Sequence, residues 1–142
     1  RCIGVKNSSM PTQDIQMWAD EGAIVFNGPD EQLISGLVMG ADGGIGGTYG
    51  AYPELVLELF RMVKDGELTA ARELQFDINN IIYAMCGCKG NMYAAIKEIL
   101  RRREGIDVGG VRAPLYNLVE ADAPQIDKCV AMIDAAVAKW IK

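Results

Sequence analysis

A lysine, a pair of adjacent carboxylates and a glycine-dense stretch are the groups here that could do or support chemistry. Lys6 follows the apolar run Cys2-Ile3-Gly4-Val5 and precedes the polar turn Asn7-Ser8-Ser9. An amine walled by apolar side chains loses solvation and becomes a nucleophile able to form a Schiff base with a carbonyl. The alternative is a strand-end lysine whose stem packs while its ammonium stays in water. Gly28-Pro29-Asp30-Glu31 offers two carboxylates. Either Asp30 caps a helix with Glu31 in its first turn, or both project into a mouth and accept hydrogen bonds from a polyol. The stretch from Gly40 to Gly50 is rich enough in glycine to let backbone or ligand approach closely. Cys86-Gly87-Cys88 has two sulfurs but no histidine or second cysteine pair nearby, so it reads as structural rather than as a metal or redox site. Lys97, Arg101, Arg102 and Arg103 read as a solvated face that complements a helix C-terminus.

The absence of histidine narrows the chemistry further. It removes Ser-His-Asp and Cys-His nucleophilic sites, histidine zinc sites and the usual neutral-pH base. No metal and no cofactor is expected. Gly44-Ile45-Gly46-Gly47-Thr48-Tyr49 lacks the third glycine of a dinucleotide fingerprint and the lysine of a P-loop. Fourteen Lys+Arg against nineteen Asp+Glu give a formal charge of −5, which argues against nucleic acid as a partner. No apolar stretch reaches the roughly 20 residues of a membrane span. Four scattered cysteines in 142 residues do not make a secreted disulfide framework, so a reduced, cytoplasmic setting is expected.

The elements that must hold these groups follow from periodicity. Three apolar runs, Cys2 to Val5, Ala23 to Phe26 and Gly43 to Gly46, recur at a step of about twenty residues, each gap filled by a helical pattern. Runs without polar alternation fit parallel strands buried on both faces. The pattern is β-α-β-α-β with short loops, an α/β arrangement. Beyond Tyr49 only helices are expected: Pro53 to Lys64, Glu67 to Met85, Tyr93 to Arg103 and Asp122 to Trp140. Residues 1–50 are thus read as βα units and residues 51–142 as a final barrel helix with a helical region. Three strands cannot close a barrel, which at this spacing needs eight. The strand-like start without Met fits a chain that begins partway through its fold.

Three segments carry a resemblance. Gly4-Val5-Lys6-Asn7-Ser8, Asn27-Gly28-Pro29-Asp30-Glu31 and Gly40-Ala41-Asp42-Gly43-Gly44-Ile45-Gly46-Gly47-Thr48-Tyr49 resemble, in order and spacing, three motifs of the N-acetylneuraminate lyase branch of the dihydrodipicolinate synthase-like aldolases. The resemblance covers essentially the whole chain but only the C-terminal portion of the family's (βα)8 TIM barrel, its last three strands and the C-terminal helical extension. It implies a class I aldolase that cleaves a sialic acid to N-acetylmannosamine and pyruvate through an imine. Lys6 matches the Schiff-base lysine. Ser8, Gly28, Asp30 and Glu31 match positions around the substrate's hydroxyls. Gly47 falls where a serine commonly contacts the polyhydroxy tail, so a hydroxyl is missing there, and Gly50 replaces a usual Asn.

None of Tyr49, Tyr52, Tyr83, Tyr93 or Tyr116 matches the family's acid/base tyrosine, which lies on an earlier strand together with the motif that binds the pyruvate carboxylate. The isolated chain is therefore expected to be inactive, and to form a homo-oligomer or pair with the missing N-terminal half. Two further readings are a dihydrodipicolinate synthase or 2-keto-3-deoxy sugar-acid aldolase on the same scaffold, and a non-catalytic self-assembling module.

Overall fold

The structure, a computed structural model, describes residues 1–141. Three strands, β1 (Gly4–Asn7), β2 (Ile24–Asn27) and β3 (Gly43–Gly44), form a parallel sheet in the order β1-β2-β3. Helix α1 (Gln13–Asp20) crosses from β1 to β2, and α2 (Leu33–Val38), preceded by a 3-10 turn at Asp30–Gln32, crosses from β2 to β3. A second 3-10 turn, Tyr49–Ala51, leads into four helices: α3 (Pro53–Lys64), α4 (Leu68–Cys86), α5 (Met92–Glu104) and α6 (Ala123–Trp140). The expected β-α-β-α-β order and the four helices of the tail are therefore present.

The register determines which way each side chain points. Val5 pairs with Val25 and Lys6 with Phe26. Successive residues alternate between faces, so Val5 and Val25 share one face, while Lys6 and Phe26 share the other. Val25 is fully buried against Ile15 of α1 and Ala41. On the opposite face Ile24 remains 44% exposed. The expectation of strands buried on both faces fails here, because only the α1 side carries a packed layer. Strand β3 is also shorter than the run Gly43 to Gly46 suggested, ending at Gly44. Asp42 extends its pairing: its amide donates to the Val25 carbonyl at 2.8 Å, and its Oδ2 accepts from the Val25 amide at 2.8 Å.

The main core lies in the helical tail. Leu55 and Leu59 of α3, Leu74, Ile78 and Ile82 of α4, Ile99 of α5, and Ile126 and Ile133 of α6 are buried together. Their spacings of four or seven residues along α3, α4 and α6 place them on single stripes. Leu33 of α2 joins the same cluster, which locks the second βα unit to the tail. Pro53 opens α3 at its first position, and Gly105 ends α5 in the left-handed conformation at φ 71°.

Candidate functional site

Because the strands are parallel, their carboxyl ends lie on one side. The segments that follow β1, β2 and β3 are gathered there, the usual place for reactive groups in such sheets. Lys6 is the next-to-last residue of β1 and is exposed on the uncovered face of the sheet. Of the apolar walls expected around it, the described residues supply Phe26, its register partner on β2, and leave the lysine exposed.

Ser8 and Gly28 meet directly. The Gly28 amide donates to the Asn7 carbonyl at 2.8 Å. A Cβ on Gly28 would overlap Ser8 Oγ and stand 2.7 Å from the Asn7 oxygen. Only glycine lets these two loops touch. Beyond it, Asn27 Nδ2 donates to the Pro29 carbonyl at 2.7 Å and stiffens the turn into Asp30.

Asp30 does not act as the helix cap that its position suggested. Its side chain turns across to the segment after β3. Oδ2 accepts from the Thr48 amide at 2.8 Å and from Thr48 Oγ1 at 2.6 Å. Oδ1 has no hydrogen bond among the described residues, and it lies so close to Gly46 that a Cβ there would overlap it. Thr48 Oγ1 in turn accepts from the Tyr52 hydroxyl at 2.6 Å. The result is a buried relay, Tyr52 to Thr48 to Asp30, that clips the β2 and β3 loops together. Glu31 differs: its carboxylate is exposed and has no partner among the described residues, so it is free to accept hydroxyl hydrogen bonds.

The backbone of this turn is held from behind by α4. Gln75 is 2% exposed. Its Oε1 accepts from the Ile34 amide at 2.9 Å, and its Nε2 donates to the Asp30 carbonyl at 3.2 Å and to Asn79 Oδ1 at 2.8 Å. Asn79 Nδ2 donates to the Glu31 carbonyl at 3.2 Å. Gly47 is exposed, and a Cβ there would stand 3.0 Å from the Tyr93 ring and 3.1 Å from its hydroxyl. An aromatic hydroxyl from the first turn of α5 thus lies beside the position that lacks a serine.

Two tyrosines near Asp30 are poor bases. Burial, and after it the Asp30 carboxylate, pushes the Tyr49 phenol well above its ordinary range. Burial does the same to Tyr52, and the Thr48 hydrogen bond only partly offsets it. Both remain neutral phenols near pH 7. The Tyr49 hydroxyl is buried with no hydrogen-bond partner among the described residues.

The structure thus brings Ser8 to Gly28, Asp30 to Gly46 and Thr48, and Gly47 to Tyr93. No hydrogen bond joins Lys6 to Asp30 or Glu31 among the described residues. Sequence reasoning missed Thr48, Tyr52, Gln75, Asn79 and Tyr93. A signal existed for Gln75, an amide one position from Leu74 within an apolar stripe, where an unsatisfied polar group would be costly.

The basic stretch on α5 is only partly the solvated face expected. Arg101 and Arg102 pair with Glu98 at the surface. Arg103 is instead largely buried and donates to the Ala51 carbonyl at 2.9 Å, Glu54 at 2.8 Å and Asp134 at 3.0 Å. All four cysteines are free thiols. Among the described residues no group of three His, Cys, Asp or Glu side chains is placed to hold a metal, and no helix is long and apolar enough to cross a membrane.

Comparison with known proteins gives this geometry a family. Residues 1–133 match the model of the dihydrodipicolinate synthetase family. The chain is 52% identical to an N-acetylneuraminate lyase of Mediterraneibacter gnavus, over 98% of this chain and 45% of that protein. It superposes on the wild-type sialic acid aldolase of Ruminococcus gnavus with a TM-score of 0.96 at 52% identity, covering 98% of this chain and 47% of the other. A second structure of that aldolase, described as a catalytic lysine mutant, gives the same TM-score at 51% identity. The N-acetylneuraminate lyase of Fusobacterium nucleatum matches at a TM-score of 0.73 and 27% identity, over 99% of this chain and 45% of that one. The chain spans about half the length of the relatives it matches, and its three strands and helical tail have the fold of the C-terminal part of these TIM-barrel aldolases. Since that family's model matches all but the last nine residues, the chain belongs to the dihydrodipicolinate synthetase family.

Proposed function

We propose that this chain supplies the nucleophile and the sugar-binding side of a class I aldolase that cleaves N-acetylneuraminate to N-acetylmannosamine and pyruvate. The observation that carries the reading is the convergence of Lys6, the Gly28–Glu31 turn and the Gly46–Thr48 loop at the carboxyl end of one parallel sheet, in a chain 52% identical to an N-acetylneuraminate lyase. That a close relative has a lysine described as catalytic supports the role given to Lys6.

The chemistry follows from these groups. The Lys6 amine adds to the C2 carbonyl of the 2-oxo acid and water leaves, giving an iminium. The C3–C4 bond then breaks, its electron pair passing into the iminium to form an enamine, while the C4 hydroxyl loses its proton and becomes the aldehyde. Protonation at C3 and hydrolysis release pyruvate and restore the amine. Uncharged hydroxyls of the sugar suit the free Glu31 carboxylate, the Asp30 Oδ1 left without a hydrogen bond, Ser8 and the backbone at Gly28 and Gly47. The base that takes the C4 proton is assigned outside this chain, since none of its five tyrosines matches the family's acid/base tyrosine, the Tyr52 hydroxyl is committed to Thr48 and that of Tyr49 is buried. The protein acts in a cytoplasmic, reducing setting that keeps its four thiols free.

Dihydrodipicolinate synthase or 2-keto-3-deoxy sugar-acid aldolase activity is the second reading on this scaffold. The Asp30-Glu31 pair favours the polyol substrate. Borohydride reduction in the presence of pyruvate tests the nucleophile: the full-length protein should gain about 72 Da on Lys6, the mass of a reduced pyruvyl imine. No adduct, or an adduct that survives Lys6→Ala, overturns the assignment. Comparing turnover of N-acetylneuraminate with that of aspartate semialdehyde plus pyruvate then separates the two readings.

A further inference from the structure

We infer that Gln75 and Asn79, on α4, are positioning residues that set how the Asp30–Glu31 turn meets the sugar. The inference rests on the sugar-binding role proposed for that turn and deepens it.

The turn needs outside support. Asp30–Gln32 is a 3-10 segment of three residues with no side-chain cap, and such short pieces have weaker hydrogen bonding than an α-helix. The Ile34 amide, in the first turn of α2, has no intrahelical acceptor. The two amides of α4 answer both needs. A glutamine amide offers one acceptor oxygen and two donor hydrogens. Gln75 uses all of these, on the Ile34 amide, the Asp30 carbonyl and Asn79 Oδ1. Asn79, its oxygen occupied by Gln75, passes a donor to the Glu31 carbonyl. The ladder therefore ends on the backbones of the two residues whose carboxylates face the polyol.

The two carboxylates depend on it to different degrees. Asp30 is held twice, by Gln75 through its carbonyl and by Thr48 through its side chain. Glu31 has no side-chain partner among the described residues, so its direction is set through a backbone that Asn79 holds. A buried glutamine that served only to fill α4 would have no reason to reach this turn, 41 to 45 positions away in sequence. Misplacing a binding group by a fraction of its hydrogen-bond length weakens the substrate portion it touches and leaves a remote nucleophile intact.

The test is the condensation direction in the full-length enzyme, where both substrates can be varied. Asn79→Asp keeps the acceptor for Gln75 and removes the donor to Glu31. Gln75→Glu keeps the acceptor for Ile34 and removes both donors. Each variant should raise KM for N-acetylmannosamine by about tenfold, leave KM for pyruvate within about twofold, and leave borohydride trapping of pyruvate on Lys6 at the wild-type level. Should Gln75→Glu fail to fold, the half-exposed Asn79→Asp decides the matter alone. A fall in kcat with both KM values unchanged would show amides that merely support the fold. Equal shifts in both KM values, or no shift, would also overturn the inference. Wild-type enzyme that forms no pyruvate adduct would instead sink the aldolase reading, so the two failures are distinguishable.

Discussion

Among single residues, Thr48 carries more of the site than its size suggests. Its amide and hydroxyl both serve Asp30, and its oxygen is the partner of the fully buried Tyr52 hydroxyl. Thr48→Val conserves shape, removes the hydroxyl and leaves Tyr52 with a buried, unpaired donor. Such an orphan costs about 1–3 kcal/mol. The expected outcome is a loss of that size in denaturant unfolding of the full-length enzyme, with a higher KM for the sugar. Tyr52→Phe removes the orphaned donor, so the double variant should recover part of the loss. A double variant no more stable than Thr48→Val contradicts the relay. Thr48 and Tyr52 were invisible in the sequence because Asp30 had an equally good local use as a helix cap. Nothing local reveals that a side chain will prefer a partner 18 residues away. The places of Lys6, Ser8 and Gly28 at strand ends and turns were legible because apolar runs and polar turns announce themselves through composition, whereas the roles given to Ser8 and Gly28 came from the family resemblance.

Among the elements, buried and exposed charges on α5 and its neighbours separate two kinds of ion pair. Arg61 bridges Glu58, Asp65 and Glu67 at the surface of α3. Pairs of that kind contribute little, since solvent screens them and long side chains must be ordered. Arg103 ties the end of α5 to the Ala51 carbonyl, to Glu54 and to Asp134 of α6, with its side chain only 12% exposed. Arg103→Met should therefore lower the unfolding midpoint clearly and Arg61→Met should not. Equal effects would contradict the distinction.

A second contrast at this scale is one of pH. The Asp122 carboxylate accepts from the amides of Val119, Lys89 and Gly90, and these bonds hold it below the usual carboxylate range. A depressed folded-state value means stability that is complete above the unfolded value, about 3.9, and lost as pH falls through the folded one. The gap in unfolding temperature between wild type and Asp122→Asn should be widest near pH 7 and close below about pH 4. A constant gap would show that the charge is irrelevant. The helices themselves were readable from their stripes and glycine stops. Arg103 was not, because three consecutive arginines look alike until the helix is docked and one of them faces inward.

Across the whole molecule, the sheet and the tail are unequally finished. The tail has a continuous core drawn from α2, α3, α4, α5 and α6, whereas the sheet has Ile15, Val25 and Ala41 with Val5 against them. Ile24 and Lys6 lie on an uncovered face, and β1 and β3 are edges with unpaired backbone groups. Beside β3 a groove of about 320 Å³ is lined by Phe26, Leu33, Gly44, Tyr49, Val56 and Phe60. Tyr49, whose buried hydroxyl has no partner among the described residues, belongs to the same lining. Covering an isoleucine-sized side chain contributes about 1.5–3 kcal/mol, and open edges pair readily with another chain. The polypeptide of residues 1–142, produced alone, should therefore show two tiers of hydrogen exchange. Amides of α3 to α6 should be protected, and those of β1 to β3 should exchange orders of magnitude faster, because local opening there exposes little buried surface. The same polypeptide should elute above its monomer mass and show no turnover. Adding the polypeptide that corresponds to the uncovered N-terminal part of the relatives should slow exchange in β1 and β3 together, since closing a barrel pairs both edges at once. Protection gained at one edge only, or a stable monomer whose strands are as protected as its helices, would mean that the sheet is complete as it stands.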